Sequence, residues 1–136
     1  MHSTGAKGDI GVAAVTADLL ERGFDVLLPL SSTSPYDLVA TDGNKFWKIQ
    51  VKYVSEKNGK VWCEVRRTVI TNSKISRRRF HQIEIDVVAV YCPQWKQVCY
   101  VAMQDVVSVT IRQTYPANGI KNSIRLASEH MRFPPT

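Results

Sequence analysis

Residues 34–54 read SPYDLVATDGNKFWKIQVKYV, and this stretch decides the fold. Two segments, Tyr36–Thr41 and Phe46–Val54, are rich in the β-branched and aromatic residues that favour strands. Gly43-Asn44 lies between them and supplies the positive φ angles that a tight turn needs. The stretch therefore predicts one β-hairpin.

The predicted two-residue turn also sets the register of the hairpin. It places Asp42 opposite Lys45. Asp37 then lies opposite Gln50, and Lys52 lies diagonally on the same face, because strand side chains alternate. The other face is predicted to be buried, and it pairs Leu38 with Ile49, Tyr36 with Val51 and Ala40 with Trp47. A half-exposed hairpin with ordinary polar residues outside is the alternative interpretation.

The three polar side chains of the hairpin predict a metal site. The Asp37 carboxylate and the Gln50 amide both offer oxygen ligands, which suit a hard divalent cation such as Mg²⁺. The backbone carbonyl of Val51 is a third candidate ligand. Lys52 is placed to polarise the attacking water or to stabilise charge that develops on a phosphate. The cluster therefore predicts metal-assisted hydrolysis of a phosphodiester.

The charge of the chain is concentrated in one segment. The chain has 18 Lys and Arg against 12 Asp and Glu, which gives a net charge of +6. Segment 65–83 contains no acidic residue, and its basic residues are Arg66, Arg67, Lys74, Arg77, Arg78 and Arg79, with His81 beside them. Such an excess predicts binding to the phosphates of a nucleic acid. A solvated basic loop without a partner, and a solvated His81, are the alternatives.

The order of elements predicts an α+β fold with a mixed sheet. Apolar residues at helical spacing predict a helix over Asp9–Arg22, with Asp9 as its N-cap and Gly23 at its end. Phe24–Leu30 is an unbroken apolar run and predicts a buried strand. Lys60–Arg67 follows the hairpin after a short connection, which predicts a three-stranded meander. The basic segment is predicted to be irregular, with a short helix or turn near its end, and three further strands follow it.

The length of 136 residues predicts a single domain over 1–136, with residues 1–7 flexible and residues 119–136 docked as a tail. No apolar run is long enough to span a membrane, and the first residues contain no apolar signal core. The three cysteines form no CxxC pair and are expected to be reduced. These observations predict a cytoplasmic protein without a membrane partner or an organic cofactor.

The sequence also resembles a known family. Pro35-Tyr36-Asp37 followed by Gln50-Val51-Lys52 resembles the PD-(D/E)xK nuclease signature, with Gln in the D/E position. Residues 7–133 look like the bacterial group I intron homing endonucleases of this superfamily, through the stretches KGDIGVAAVTADLLERGFDVLLPLSSTSPYDLV, FWKIQVKY, IDVVAVYCP and KNSIRLAS. The resemblance implies a restriction-endonuclease-like core, with an N-terminal helix packed on a mixed β-sheet.

The resemblance implies a role for each polar residue of the hairpin. Asp37 is then the metal-binding aspartate, Gln50 replaces the second acid, and Lys52 is the catalytic lysine. The implied activity is site-specific cleavage of double-stranded DNA with Mg²⁺ or Mn²⁺. Because a chain of this size has one active site, cutting both strands implies a homo-oligomer, which is a dimer or a dimer of dimers.

One position departs from the family pattern. The superfamily often places a Glu on the first helix, directed at the metal, and that position is Val12 here. A site with one carboxylate binds a hard cation more weakly. Asp9 is near the same helix face, although it is better explained as the N-cap. A catalytically impaired relative that binds DNA, and a nuclease of the same family that is not encoded in an intron, are therefore kept as alternatives.

Overall fold

The computed structural model describes residues 2–71, 74–79, 84–103, 107–119 and 124–135, and for 66–71 and 74–79 it describes the backbone alone. Helix α1 spans Thr4–Glu21. The strands that follow are β1 (Asp25–Leu27), β2 (Leu38–Thr41), β3 (Phe46–Tyr53), β4 (Lys60–Glu64), β5 (Arg66–Thr71), β6 (Lys74–Arg79), β7 (Val87–Cys92), β8 (Gln97–Ala102), β9 (Ser108–Arg112) and β10 (Arg125–Leu126). A short 3-10 helix, Ala127–Glu129, follows β10.

The main sheet has five strands in the order β1-β2-β3-β7-β8. Its neighbouring strands are antiparallel except for β3 and β7, which are parallel. A second sheet has the order β10-β9-β4, and β5 pairs with β6 in a two-stranded ribbon. The prediction of an α+β fold with a mixed sheet and one N-terminal helix is thus confirmed.

Two apolar clusters hold the layers together, one on each face of the main sheet. Val15 and Leu19 of α1 pack against Ile49 and other residues on the first face. On the second face, Val88 and Val90 of β7 pack against residues of β4 and β9. The main sheet therefore lies between α1 and the second sheet, and β7 is buried from both sides. Full burial of one such side chain contributes about 1.5–3 kcal/mol.

The hairpin has the predicted register where Leu38–Thr41 pairs with Phe46–Ile49. Its loop is longer than predicted and comprises residues 42–45. The Asp42 carboxylate accepts the backbone N–H groups of Asn44 and Lys45, at 2.9 and 2.8 Å. Gly43 adopts a φ of 96°, which favours glycine. A side-chain cap therefore closes the loop in place of a two-residue turn.

The start of α1 differs from the prediction. The N-cap is Ser3, whose Oγ accepts the backbone N–H of Ala6 at 3.2 Å. Asp9 is therefore inside the helix, and residues 4–7, which were expected to be flexible, are helical. The Ser3 side chain accepts one of the free N–H groups at the start of the helix, so the helix begins before Asp9. Gly23 follows the helix with a φ of 88°, as predicted.

The prediction of a buried strand over Phe24–Leu30 is wrong. β1 comprises only Asp25–Leu27 and lies at an edge of the main sheet, where β2 is its partner. Leu28 and Leu30, which follow it, are 65% and 105% exposed. An unbroken apolar run fits either a buried strand or an exposed apolar surface, and hydrophobic periodicity does not separate the two.

The opposite edge of the main sheet is covered by the C-terminal segment. The carbonyl of His130 accepts the backbone N–H of Tyr100 in β8 at 2.7 Å. Phe133 is buried, and its ring packs at 5.0 Å from that of Tyr100 and at 5.5 Å from that of Trp47. A covered edge cannot pair with a strand of another molecule. The β8 edge of the sheet is therefore protected, whereas the described residues do not cover the β1 edge in this way.

The predicted meander is wrong because β4 leaves the hairpin. Asn58 and Gly59 form the predicted turn, with φ angles of 53° and 77°. β4 then pairs with β9 in the second sheet, and β7 takes the place beside β3. β7 is apolar at successive positions, which suits a parallel strand buried on both faces. The prediction of an irregular basic segment is also wrong for Arg66–Thr71 and Lys74–Arg79, which pair as the ribbon of β5 and β6.

Within the described ranges, no helix is long and apolar enough to cross a membrane. All three cysteines are free and buried. Burial raises the pKa of Cys63 and of Cys99 to about 11. Both side chains are therefore protonated thiols at neutral pH.

Candidate active site

The pairing between β2 and β3 slips next to the candidate site. Leu38 pairs with Ile49, but the backbone N–H of Asp37 also donates to the carbonyl of Ile49, at 2.8 Å. Two residues of one strand thus share one partner on the other, as in a β-bulge. The predicted pairing of Tyr36 with Val51 is consequently wrong. Tyr36 packs on the face that β4 covers, whereas Val51 packs on the α1 face.

The slip brings the Asp37 carboxylate to the edge of β3. Its Oδ2 accepts the backbone N–H of Val51 at 2.7 Å, where a strand carbonyl would otherwise stand. The N–H and C=O of one strand residue point to the same edge of that strand. The Val51 carbonyl is therefore directed to the Asp37 side of β3, beyond the first residue of β2. Both are oxygen ligands of the kind that hard cations prefer.

Gln50 and Lys52 lie together on the face of β3 that is turned away from α1 and from the Val51 side chain. They pair with Val88 and Val90 of β7, and both of these valines pack against β4. The Lys52 ammonium acts on the Asp37 carboxyl and lowers its pKa, against the larger effect of burial. The structure thus brings Asp37, Val51 and Lys52 together, and it places Gln50 two residues before Lys52 on the same face.

Burial raises the pKa of Asp37 above its ordinary value, although the Val51 N–H and Lys52 oppose this. The positive charge that this chain offers therefore does not offset the desolvation of the carboxylate. A cation beside Asp37 would favour the ionised form. In the described residues, no three His, Cys, Asp or Glu side chains cluster as a metal site. The residues present fit a cation that depends on one carboxylate and neutral oxygens.

A cleft of about 330 Å³ opens beside Asp37. Val12 of α1 lines it, together with Tyr36 and residues of the 28–34 loop. The helix position that departs from the family pattern therefore lies in the same cleft as the aspartate. Asp9 lines a neighbouring groove with Val12, so the structure does not bring Asp9 to the cleft of Asp37.

The predicted DNA-binding residues lie mainly on the ribbon. Its backbone pairing places Arg66 opposite Arg79, Arg67 opposite Arg78, Thr68 opposite Arg77 and Thr71 opposite Lys74. Six basic positions are thus distributed over two short antiparallel strands. His81 lies outside the described residues.

Sequence reasoning gave no role to Trp62, since aromatic residues on strands are usually buried. The side chain is 51% exposed, and it lines a cavity together with three lysines. The alternation along β4 was the available signal, because Val61 and Cys63 are buried and Trp62, which lies between them, faces outward.

The comparisons with known proteins identify the class. The model of the family described as PD-(D/E)XK endonuclease matches residues 2–133. The chain therefore belongs to the PD-(D/E)XK endonuclease family. No curated protein matches the chain.

A solved structure agrees with this assignment. The chain is similar to the bacterial homing endonuclease I-Ssp6803I, with a TM-score of 0.76 and 26% sequence identity. The similarity covers 90% of this chain and 86% of the other. The predicted resemblance to a nuclease of this superfamily is confirmed.

Proposed function

We propose that this protein is a metal-dependent, site-specific endonuclease that cuts double-stranded DNA, in the manner of a homing endonuclease. The observation on which this rests is the Asp37 carboxylate, which accepts the Val51 N–H and is held in a desolvated position with a raised pKa. Membership of an endonuclease family gives the reaction class. The chain's own residues then give the roles.

Three oxygen donors would hold the divalent cation, Mg²⁺ or Mn²⁺. They are the Asp37 carboxylate, the Val51 carbonyl and the Gln50 amide. When bound, the cation supplies Lewis-acid polarisation of the phosphate and activation of water. Asp37 supplies the only negative charge among the three donors. The amide and the carbonyl complete the set without adding charge, which suits sharing of the cation with phosphate oxygens of the substrate.

Lys52 is the proposed catalytic lysine. Its ammonium is within electrostatic reach of Asp37, as the lowering of the Asp37 pKa indicates. In that position it orients the attacking water and stabilises negative charge that develops on the phosphate in the transition state. Loss of one such contact typically costs about 10²–10³ in rate.

The ribbon of β5 and β6 is proposed to hold the DNA duplex. A two-stranded β-ribbon fits the major groove, and its basic positions suit contacts to phosphates. Such contacts fix orientation, whereas base contacts fix sequence. We place Arg66, Arg67, Lys74, Arg77, Arg78, Arg79 and His81 in this role.

Cutting both strands requires a second copy of the chain. The proposed homo-oligomer interface is the apolar surface of Leu20 on α1 with Leu27 at the open edge of β1, and it extends to Leu28 and Leu30, which follow β1 and also line the Asp37 cleft. All four side chains are exposed. An exposed group of large apolar side chains next to an unpaired strand edge is typical of an interaction surface. We propose a dimer or a dimer of dimers in the cytoplasm, where the buried thiols stay reduced.

A catalytically impaired relative that binds DNA is the second candidate, because Val12 lines the Asp37 cleft where a carboxylate would complete the site. Val12→Glu tests it, with Ala13→Glu as the matched control, since Ala13 is exposed on α1 and lines the neighbouring groove. We expect Mg²⁺ or Mn²⁺ to raise the Tm of Val12→Glu more than that of the parent, and that of Ala13→Glu by the parental amount.

Cleavage separates the two candidates. With Mn²⁺, the parent is expected to cut plasmid DNA carrying candidate sites, and Lys52→Ala is expected to cut at least about 10²-fold more slowly. Lys45→Ala, which changes an exposed loop lysine, is expected to cut at the parental rate. Cutting by Val12→Glu but not by the parent would favour the catalytically impaired, DNA-binding relative instead. Parental cutting by Lys52→Ala would remove Lys52 from the site.

A further inference from the structure

A second positively charged region lies beyond the end of β3. It is a cavity of about 610 Å³ whose lining includes Lys7, Tyr53, Val54, Lys57, Lys60 and Trp62. We call it the lysine cavity. Its lining contains three lysines and no acidic residue, and none of the three lysines forms an ion pair with a described residue. Tyr53, the last residue of β3, is part of its lining.

The backbone holds two of these lysines against each other. Lys57 and Lys60 form an antiparallel bridge around the Asn58-Gly59 turn, with backbone hydrogen bonds of 2.8 and 3.1 Å. Like charges that face each other across such a pair destabilise it. The arrangement becomes favourable when an anion lies between the two ammonium groups. An anion beside the turn would therefore be attracted by both ammonium groups.

The third lysine stands on the first turn of α1. Lys7 is in that turn, which contains no acidic residue. A cation there opposes the helix dipole, whose positive end favours acidic residues. The same anion that neutralises Lys57 and Lys60 would relieve this cost as well.

The floor of the cavity is firmly attached to the main sheet. The Val54 N–H donates to the carbonyl of Tyr91 at 2.9 Å, and the Glu56 N–H donates to Gln94 Oε1 at 2.9 Å. These bonds fix the segment that joins β3 to the turn. The backbone that leads to Lys57 is therefore held in place, which reduces the ordering cost of binding.

Trp62 adds an aromatic surface at the rim. It is 51% exposed, in contrast to its buried neighbours Val61 and Cys63, and it lines the cavity together with Lys60. An exposed aromatic ring next to a group of cations suits a nucleotide, because the base or sugar packs on the ring and the phosphate meets the ammonium groups. An acidic protein segment would use the lysines but would not need the ring.

We propose that the lysine cavity binds the phosphodiester backbone of the DNA substrate next to the cleaved bond, with Trp62 packed against one nucleotide. This rests on the proposed nuclease function and adds a contact region separate from the β5–β6 ribbon. Tyr53 lies two residues after Val51 on the α1 face of β3, and the Val51 N–H donates to Asp37, so the bound phosphates belong to nucleotides close to the one that is cut.

The test measures binding in EDTA, where no cutting occurs. The probe is a fluorescein-labelled duplex of arbitrary sequence, since phosphate contacts do not depend on sequence. Its Kd is measured by anisotropy over a series of NaCl concentrations for the parent and for Lys57→Gln/Lys60→Gln. Lys45→Gln/Arg132→Gln is the matched control, because it removes two exposed cations elsewhere.

We expect Lys57→Gln/Lys60→Gln to weaken binding by about 10-fold or more and to lower the slope of log Kd against log salt by about 2. The control pair should keep the parental slope. Trp62→Leu should weaken binding about 5-fold with the slope unchanged, and Trp62→Phe should restore most of the affinity.

The outcomes distinguish the two levels of the proposal. Parental affinity and slope in Lys57→Gln/Lys60→Gln would overturn the assignment of the cavity while leaving the nuclease function in place. An equal loss in the control pair would likewise overturn it, because the effect would then be one of net charge. If the parent does not bind the duplex at low salt, the proposed function fails and the cavity assignment fails with it.

Discussion

Two aspartates of this protein, Asp37 and Asp18, are both partly shielded from water, and they have different surroundings. Asp18 on α1 accepts a hydrogen bond from the Tyr100 hydroxyl at 2.5 Å and forms an ion pair with Arg22 at 2.9 Å. Asp37 accepts a backbone N–H, and burial raises its pKa despite Lys52.

The difference separates a structural carboxylate from the one for which we propose a function. The Asp18 group joins α1 to β8, and Arg22 extends it to the C-terminal segment through the carbonyl of Met131. Its charge is matched inside the chain. The charge of Asp37 is not matched, so this carboxylate has capacity left for an added cation. Incomplete neutralisation in a cleft is thus the stronger indicator of function.

The largest effect expected from this comparison concerns cleavage. Asp37→Asn should lower cleavage by about 10³-fold or more, because the cation loses its charged ligand. Asp18→Asn should retain cleavage within a few-fold and lower the free energy of unfolding by about 1–3 kcal/mol. Plasmid cleavage and urea unfolding measure the two quantities.

Asp37→Asn should also raise the Tm of the metal-free protein at neutral pH. The folded state raises the Asp37 pKa, so the stability linked to this carboxyl is greatest in the acid range and falls as pH rises through that pKa. The neutral amide removes this cost. A lower Tm for Asp37→Asn than for the parent would contradict the view of Asp37 as an incompletely neutralised group.

A smaller effect concerns the structural pair. Burial and the hydrogen bond to Asp18 raise the pKa of Tyr100. The stability linked to this phenol is therefore complete below pH about 10 and decreases as pH rises above it. Tyr100→Phe should cost about 1–2 kcal/mol at neutral pH and should unfold with a weaker dependence on alkaline pH.

Tyr91→Phe is the control for this measurement, since its ring packs at 5.9 Å from that of Tyr53. We expect it to change stability by less than about 0.5 kcal/mol. Equal losses in Tyr91→Phe and Tyr100→Phe, measured by urea unfolding, would show that the Asp18 contact has no special weight.

The smallest expected effect concerns the packing of α1 against β3 beside the Asp37 site. A Cβ on Gly11 would lie 3.2 Å from Val51 Cγ1, whereas one on Gly8 would meet no atom within 4 Å. Gly8→Ala should stabilise by about 0.5–1 kcal/mol through helix propensity. Gly11→Ala should be less stable than Gly8→Ala by about 1–2 kcal/mol, because the neighbouring strand must move. Equal free energies of unfolding for Gly8→Ala and Gly11→Ala would indicate that α1 packs less closely against β3.

Local chemistry made part of this structure predictable from sequence. The register of Leu38–Thr41 against Phe46–Ile49 followed from turn residues and alternation, and the glycine after α1 followed from capping rules. Those features depend on neighbours in the chain.

The remainder depended on distant partners. β7 rather than β4 pairs with β3, and the segment 24–30 ends at an exposed edge. Local sequence patterns determine neither feature. The slip that brings Asp37 to Val51 is a departure from regular pairing, and such departures are concentrated at functional sites. The sequence therefore predicted that Asp37 lies in the hairpin region, but not that its carboxylate binds the Val51 N–H.

The parallel pairing of β3 with β7 has a consequence for the order of folding. The hairpin that holds Asp37, Val51 and Lys52 is local and closes in microseconds as an isolated event. The strand on the other side of β3 is supplied much later in the chain, since Ile49 pairs with Val87. Non-local parallel pairing is slow to form. During synthesis, the proposed site therefore gains the support of β7 only after that strand has left the ribosome.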